Sequence, residues 1–330
     1  MKHGSHRTGH EDGMTLTIGV DVGGTKVAGG LVDVDGTVLA ERRAATPSTS
    51  PEQVIEVVAS VVEGLLEEAG GRPVEAVGLG AAGLIDEHRA TVVFAPNLAW
   101  RHEPIRERLT KRLGLPVVVE NDGNAMAWAE YRFGAGREVE DLVCLTVGTG
   151  IGGGLVLNGN LRRGGAGMAG EFGHVKVIPN GRRCGCGDRG CWEQYCSGRA
   201  LVREARDLAL VDPAAATSML ELADDEIENI TGQVITRAGL QGDPAALDCF
   251  EQVGGWLGRG LADLAAVLDP DLFVIGGGVI DAGELLLGPA RRSFELHLLG
   301  RTFRGSAGIV AAELGAKAGL VGAADLARQA

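Results

Sequence analysis

A chain of 330 residues with 45% hydrophobic and 23% charged residues has the composition of a globular protein and the length for one large core or two medium ones. Its formal net charge of −13 lacks the basic footprint that neutralises a nucleic-acid backbone, although an anionic nucleotide can be met locally by a cation, a lysine and backbone N–H groups. No apolar run reaches the roughly 18–20 residues that span a bilayer, so the expectation is no nucleic-acid partner, no membrane partner and a cytoplasmic location.

In chain order, Met1–Gly13 is polar, histidine-rich and without a signal-type apolar stretch, and reads as a disordered extension before a fold that begins near Met14. Thr17–Val22 is apolar and β-rich, and Gly23-Gly24-Thr25-Lys26 follows at once. A second strand, Val27–Val34, meets the turn pair Asp35-Gly36 and a third strand near Thr37–Arg42. Pro51–Ala69 carries Val54, Val57, Val58, Val61, Val62 and Leu65 on one helical face. Val74–Leu79 and Pro116–Glu120 are strands, Pro104–Leu113 is a helix, and another helix runs over Asn124–Phe133.

The pattern then restarts. The strand Asp141–Val147 leads into a glycine turn at Gly148–Gly154, then Leu155–Leu157, the turn pair Asn158-Gly159, and Asn160–Arg162. Helices follow at Arg199–Leu210, through Asp225–Ala238 and at Pro244–Leu268. The strand Leu272–Ile275 delivers a third glycine cluster, Gly276-Gly277-Gly278, and Ala316–Gln329 is helical. Strand, glycine turn, strand, tight turn, strand thus occurs twice, from Ile18 and from Cys144. The chain reads as a duplicated α/β unit with a cleft as its natural ligand site. The expected division is a small α/β domain over 14–122, completed by a C-terminal helix at about 311–330, and a large α/β domain over 123–310.

Glycine is the compositional outlier, with 53 residues, about twice the usual share. The turn Asp21-Val22-Gly23-Gly24-Thr25-Lys26 can aim N–H groups at phosphate oxygens, and Asp21 can reach a Mg²⁺ ion. A plain hairpin with a polar edge explains one such cluster equally well. Gly148, Thr149 and Gly150 supply a second, and neither fits the P-loop or dinucleotide-binding pattern. Two β-turns facing each other suit an ATP clamp, with Gly276, Gly277 and Gly278 bordering the adenosine.

Val117–Glu120 delivers Asn121 and Asp122 to a strand's C-terminal end, where ligands bind in open α/β sheets. Phosphoryl transfer to a hydroxyl needs a base near that hydroxyl, a role for Asp122, with Asn121 bonding a neighbouring hydroxyl. The competing reading is that Asp122 merely N-caps the helix beginning near Asn124. The sharpest signal is Glu171-Phe172-Gly173-His174 followed by Cys184, Cys186 and Cys191. His174 with three cysteines in eight residues is a common structural zinc complement, whereas Cys144, Cys196 and Cys249 read as core thiols. Glu171, His174 and Glu193 flank it as an array of hydrogen-bonding groups suited to vicinal sugar hydroxyls.

Together, Asp21–Lys26, Glu120-Asn121-Asp122 and the Glu171…Glu193 segment resemble the ROK family of sugar kinases and repressors, most of all its actinobacterial-type glucokinases. Gly80-Ala81-Ala82-Gly83 and Pro96-Asn97-Leu98-Ala99-Trp100 look like that family's sugar-side loops, and the similarity runs from about Thr17 to the C-terminal helix. The resemblance implies a duplicated actin-like, ribonuclease-H-like fold of two domains around a cleft. It implies ATP with Mg²⁺, a structural Zn²⁺ on His174, Cys184, Cys186 and Cys191, and transfer to the 6-hydroxyl of glucose with Asp122 as base. Asn97, Asn121, Glu171, His174 and Glu193 match the sugar-binding positions. Gly123 stands where many relatives carry alanine. Such enzymes are homodimers or homotetramers. The alternatives are another hexose (fructose, mannose or an N-acetylhexosamine), polyphosphate as donor, or a sugar-responsive repressor. A repressor needs a DNA-reading module, for which Met1–Val20 is too short.

Overall fold

In the computed structural model, which describes residues 15–47 and 50–329, the opening apolar run forms β1 (Leu16–Val22). The glycine turn reverses it into β2 (Lys26–Val32), and β3 (Val38–Ala45) completes the meander. The expected extension at 1–13 lies outside the described residues. Helix α1 (Pro51–Glu68) starts at Ser50, whose hydroxyl accepts the Gln53 N–H, with a proline in its first turn. The chain continues through β4 (Val74–Ala81), the small strands β5 (Leu84–Ile85), β6 (Val92–Phe94) and β7 (Arg101–Glu103), then α2 (Ile105–Leu113), β8 (Val117–Asn121) and α3 (Asp122–Phe133).

The second half runs β9 (Leu142–Val147), β10 (Ile151–Leu157) and β11 (Asn160–Leu161), then α4 (Glu193–Cys196), α5 (Gly198–Val211), α6 (Thr217–Glu221), α7 (Gly232–Leu240) and α8 (Pro244–Leu268). It ends with β12 (Leu272–Gly276), α9 (Glu284–His297), β13 (Gly308–Ala311) and the C-terminal helix Ala318–Arg328. Strand β10 starts at Ile151, so Gly152–Gly154 belong to a strand and the second glycine turn is confined to Gly148–Gly150. The small strands β5–β7, the short helices α4 and α6, and two further elements escape a reading of periodicity. Helix α9 holds Pro289 within it, and β13 is a four-residue edge strand.

The chain folds as two compact units. One holds the residues up to Ala129, Arg163–Met168 and Lys317 onward; the other holds Glu130–Arg162 and Ala169–Ala316. In the first unit the sheet order is β3-β2-β1-β4-β8; in the second it is β11-β10-β9-β12-β13. In both, an antiparallel three-stranded meander is joined through its first strand to two parallel strands. The repeat seen in the sequence as two glycine-turned meanders is therefore a repeat of a whole five-stranded sheet, the actin-like, ribonuclease-H-type arrangement.

In the first unit the sheet is covered on both faces, which explains why β1, β4 and β8 are nearly continuous apolar runs. On one face α1 packs Val61 and Leu65 toward Gly29 of β2. On the other the C-terminal helix lies so close that a Cβ on Gly78 would stand 1.8 Å from the Ala323 carbonyl oxygen, and one on Gly19 1.7 Å from that of Leu320. Trp128 on α3 donates its indole N–H to the buried Asp325 of that helix at 2.8 Å. The second unit has its own core, with Phe273, Ile275, Phe250, Leu257 and Leu261 among its fully buried side chains. Among the described residues no helix is long and apolar enough to cross a membrane.

Gly78→Ala is expected to lower stability by about 1–3 kcal/mol, the usual cost of overpacking, read as a shift in the urea unfolding midpoint. An unchanged midpoint would mean that the helix is not seated on the sheet this tightly.

Candidate active site

The first glycine turn is closed by the Gly23 N–H donating to the Lys26 carbonyl at 3.0 Å. Thr46, just past β3, braces it: its hydroxyl donates to the Gly23 carbonyl at 2.8 Å and its N–H to that of Thr25 at 3.1 Å. Thr25 and Lys26 stay exposed at the tip. Asp21, near the end of β1, has its carboxyl pushed above the usual range by burial, with Lys26 working in the opposite direction.

Asn97 lies against this turn. A Cβ on Gly24 would fall 2.8 Å from the Asn97 Cβ, so only glycine admits the loop there. The loop after β6 is gathered by Arg101, whose Nη1 donates to the carbonyls of Ala95 at 2.5 Å, Leu98 at 3.0 Å and Trp100 at 2.6 Å. The same guanidinium lies 4.3 Å above the Phe94 ring, and Trp100 is fully buried beneath the loop. Asn97 is thus an exposed side chain on a clamped backbone.

Strand β8 passes into α3 without an intervening loop. Asn121 caps the helix, its Oδ1 accepting the Asn124 N–H at 3.0 Å while its Nδ2 donates to the Gly83 carbonyl at 3.0 Å. Helix α3 therefore starts at Asp122, two residues earlier than its periodicity suggests, and Asp122 is not its N-cap. The Asp122 carboxylate accepts the adjacent Gly123 N–H at 3.0 Å. Asn121, expected to bond substrate, has its acceptor committed to the cap and keeps its second Nδ2 hydrogen.

In the second unit, the Gly148 N–H donates to the Gly150 carbonyl at 3.0 Å, and the first N–H of α5, at Gly198, donates to the Gly148 carbonyl at 2.7 Å. Beside them opens a cavity of about 860 Å³, lined by Gly148, Thr149 and Gly278 together with Arg199, Val202 and Arg203 of α5. The second and third glycine clusters thus meet at one cavity. Gly150, Gly276 and Gly277 are not part of its lining. Gly277 serves the backbone: its φ is 89°, and a Cβ would stand 2.6 Å from the Val147 carbonyl oxygen.

His174, Cys184, Cys186 and Cys191 bring one ligand atom each to within 4.8 Å of one another. The His174 Nδ1 is 3.6 Å from the Cys184 Sγ, and the Cys186 and Cys191 sulfurs are 3.7 Å apart. Zn–S bonds of about 2.3 Å in a tetrahedron put sulfurs roughly 3.8 Å apart, whereas a disulfide needs about 2.05 Å. The donor set and its spacing fit a zinc ion, and no disulfide joins these thiols. The knuckle is anchored by Trp192, buried against α8 with its indole N–H donating to the Trp256 carbonyl at 2.8 Å.

With Nδ1 turned toward the sulfurs, the His174 Nε2 faces the Glu171 Oε2 at 3.9 Å. Burial raises the Glu171 carboxyl above the usual range; His174 lowers it, and Glu193 adds to the rise. Glu193 has Oε1 3.0 Å from the Cys184 sulfur, and its Oε2 accepts the Ile151 N–H at 3.3 Å, just past the second glycine turn. Glu171, His174 and Glu193 therefore share one neighbourhood with the His174–Cys191 cluster, and Glu193 bridges it to the second glycine turn.

Sequence reasoning passed over Arg101, the α5 arginines, and above all Glu120. Glu120 is 1% exposed, with Oε2 3.0 Å from the Arg89 Nε and 2.8 Å from the Arg163 Nε. The Arg163 Nε–H is not aligned for a hydrogen bond, so that contact is an ion pair. A charged residue closing the buried run Val117–Val119 was the available signal, since buried carboxylates need partners.

A ROK family model matches residues 17–330. The glucokinase of Streptomyces coelicolor is 51% identical over 316 residues, covering 96% of this chain and 98% of that protein. The glucokinase of Thermotoga maritima is 38% identical, covering 94% and 97% respectively. Among solved structures, a ROK family glucokinase from Streptomyces griseus in complex with glucose and AMPPNP matches with a TM-score of 0.86 at 54% identity, covering 96% of this chain and 100% of that one. The chain belongs to the ROK family.

Cys184→Ser is expected to release the metal and raise the sugar KM severalfold, because His174 and Glu193 lose a fixed neighbour. Metal analysis that still finds one zinc per chain in the variant would show that the ligand set is wrong.

Proposed function

We propose that this ROK-family chain transfers the γ-phosphoryl group of ATP to the 6-hydroxyl of glucose, giving glucose 6-phosphate and ADP. The observation that carries the base assignment is at the β8–α3 corner. Asn121 supplies the helix cap, so the capping explanation for Asp122 falls away. The likeness to a Streptomyces griseus glucokinase in complex with glucose and AMPPNP, an ATP analogue, supports the choice of both substrates.

In this reading the Asp122 carboxylate accepts the proton of the 6-hydroxyl as that oxygen bonds to the γ-phosphorus, and the bond from that phosphorus to the bridging oxygen of ADP breaks. The protein's share is otherwise positioning and charge. Asn97, the second Nδ2 hydrogen of Asn121, Glu171, His174 and Glu193 hold the other sugar hydroxyls. The N–H groups of Gly23–Lys26 and Gly148–Gly150 meet phosphate oxygens, and the cavity beside Thr149 and Gly278 takes the adenosine. Mg²⁺ accompanies ATP, with the half-buried Asp21 as its protein-side carboxylate. Zinc, when bound, is structural and polarises no substrate; it fixes the His174 ring so that Nε2 is presented in one orientation. A homodimer or homotetramer working in the cytoplasm completes the proposal.

Positioned general bases contribute roughly 10²–10⁴-fold, so Asp122→Asn should lose at least about 100-fold in kcat while glucose still binds. The measurement is ADP release with ATP and Mg²⁺ against a panel of hexoses. Activity led by glucose and lost in the variant is expected. Full turnover in Asp122→Asn would remove the base assignment, and activity led by N-acetylmannosamine without glucose would overturn the acceptor.

A further inference from the structure

The buried Glu120 carboxylate touches both chain neighbours of the corner on which Asp122 stands. Its Oε1 accepts the Asn121 N–H at 2.9 Å and the Asn124 Nδ2–H at 3.0 Å. Asn121 precedes Asp122 and Asn124 lies two residues after it, and the two are further tied to each other by the helix cap. The residues on either side of the proposed base are thus fixed to one carboxylate and to one another.

That carboxylate is itself held from two further segments. Arg89 comes from the turn between β5 and β6, and Arg163 from the stretch just after β11. Arg163 also donates from Nη1 to the Glu87 carbonyl at 2.9 Å and from Nη2 to the Asp86 carbonyl at 2.8 Å, locking onto the same turn that carries Arg89. Arg89 takes a left-handed φ of 54°, an uncommon conformation for a residue with a Cβ. Its N–H donates to the Asp86 carbonyl, and its carbonyl accepts the Val119 N–H at 3.1 Å, one residue before Glu120. Burial lowers the affinity of the Arg89 guanidinium for its proton, and the Glu120 charge opposes that.

A buried ion pair is weak as a means of stabilising a fold, because desolvation of the charges offsets their attraction. Here one buried carboxylate faces two half-buried guanidiniums, which leaves an excess positive charge around it. What the arrangement does supply is geometric definition of the corner. We propose that Glu120, held by Arg89 and Arg163, is the positioning residue for the base: it fixes Asn121 and Asn124 so that Asp122 meets the acceptor hydroxyl in register. The inference rests on the reading of Asp122 as base. A displacement near 1 Å at such a point can cost on the order of 100-fold in rate.

The test uses the full-length protein with ATP, Mg²⁺ and glucose, measuring kcat, glucose affinity by calorimetry, and Tm, for four forms: wild type, Glu120→Gln, Glu120→Gln/Arg163→Gln and Asp122→Asn. Glu120→Gln should lose at least about tenfold in kcat with glucose affinity within about threefold of wild type. Because it leaves two half-buried cations facing a neutral amide, it should also lower Tm. The double variant removes one of those cations and should regain Tm without regaining kcat. That separation is the signature of positioning, and it remains readable if the single variant fails to fold. Recovery of kcat together with Tm in the double variant would overturn the proposal, as would a loss confined to glucose affinity. If Asp122→Asn turns over like wild type, it is the base assignment that fails. If Asp122→Asn is dead while both Glu120 variants keep full kcat, the positioning role alone is lost.

Discussion

The constraint on which the proposed chemistry depends is the passage of β8 directly into α3. A strand end leaves its last polar groups unpaired and a helix start leaves its first N–H groups unpaired. Here the same few residues satisfy both. Asn121 caps the helix through Oδ1 and ties back to Gly83 through Nδ2, while Glu120 takes the Asn121 N–H and the Asn124 side chain. With no loop between strand and helix, Asp122 has little backbone freedom. It stands at the C-terminal end of a parallel strand, where ligands bind in open α/β sheets. The parallel pairing of β4 with β8 and the close seat of the C-terminal helix on Gly78 hold that strand in place.

The second unit solves a different problem. The stretch from Glu171 to Glu193 is rich in glycine and charge and has few large apolar residues beyond Phe172 and Trp192, so it cannot build a core of its own. Metal ligation is an alternative source of folding free energy for such a segment, and the spacing of His174, Cys184, Cys186 and Cys191 fits it. Trp192 then carries that order into the main core through α8. The groups that this unit offers to the sugar inherit their positions from this knuckle: His174 through its own ring, Glu193 two residues after Cys191, and Glu171 through its contact with His174.

Much of this was legible in the sequence because it rests on local rules. The paired glycine turns, the apolar run Val117–Val119 and the Cys₃His spacing each follow from the few residues that carry them. Those rules singled out Gly148, Thr149 and Gly278, which line one cavity. They misjudged Gly152–Gly154, where glycine sits inside β10 because the sheet needs a strand there, and they missed α9, whose Pro289 breaks the expected pattern yet lies buried in the helix. The deeper omissions are long-range. The Glu120–Arg163 pair joins residues 43 positions apart, and Arg101 acts by collecting carbonyls that carry no side-chain signature. Nothing within one window of sequence announces such partnerships; they exist only once the topology brings Arg89 and Arg163 to the end of β8.

The measurement closest to the central claim is ³¹P and ¹³C NMR of the product formed from ATP, Mg²⁺ and uniformly ¹³C-labelled glucose by the purified protein. Coupling of the new phosphorus to C6 of the sugar, and its absence when Asp122→Asn replaces the wild type, is the predicted result. Phosphorus attached at C1, or a product that forms equally well in the variant, would contradict the account of what this corner does.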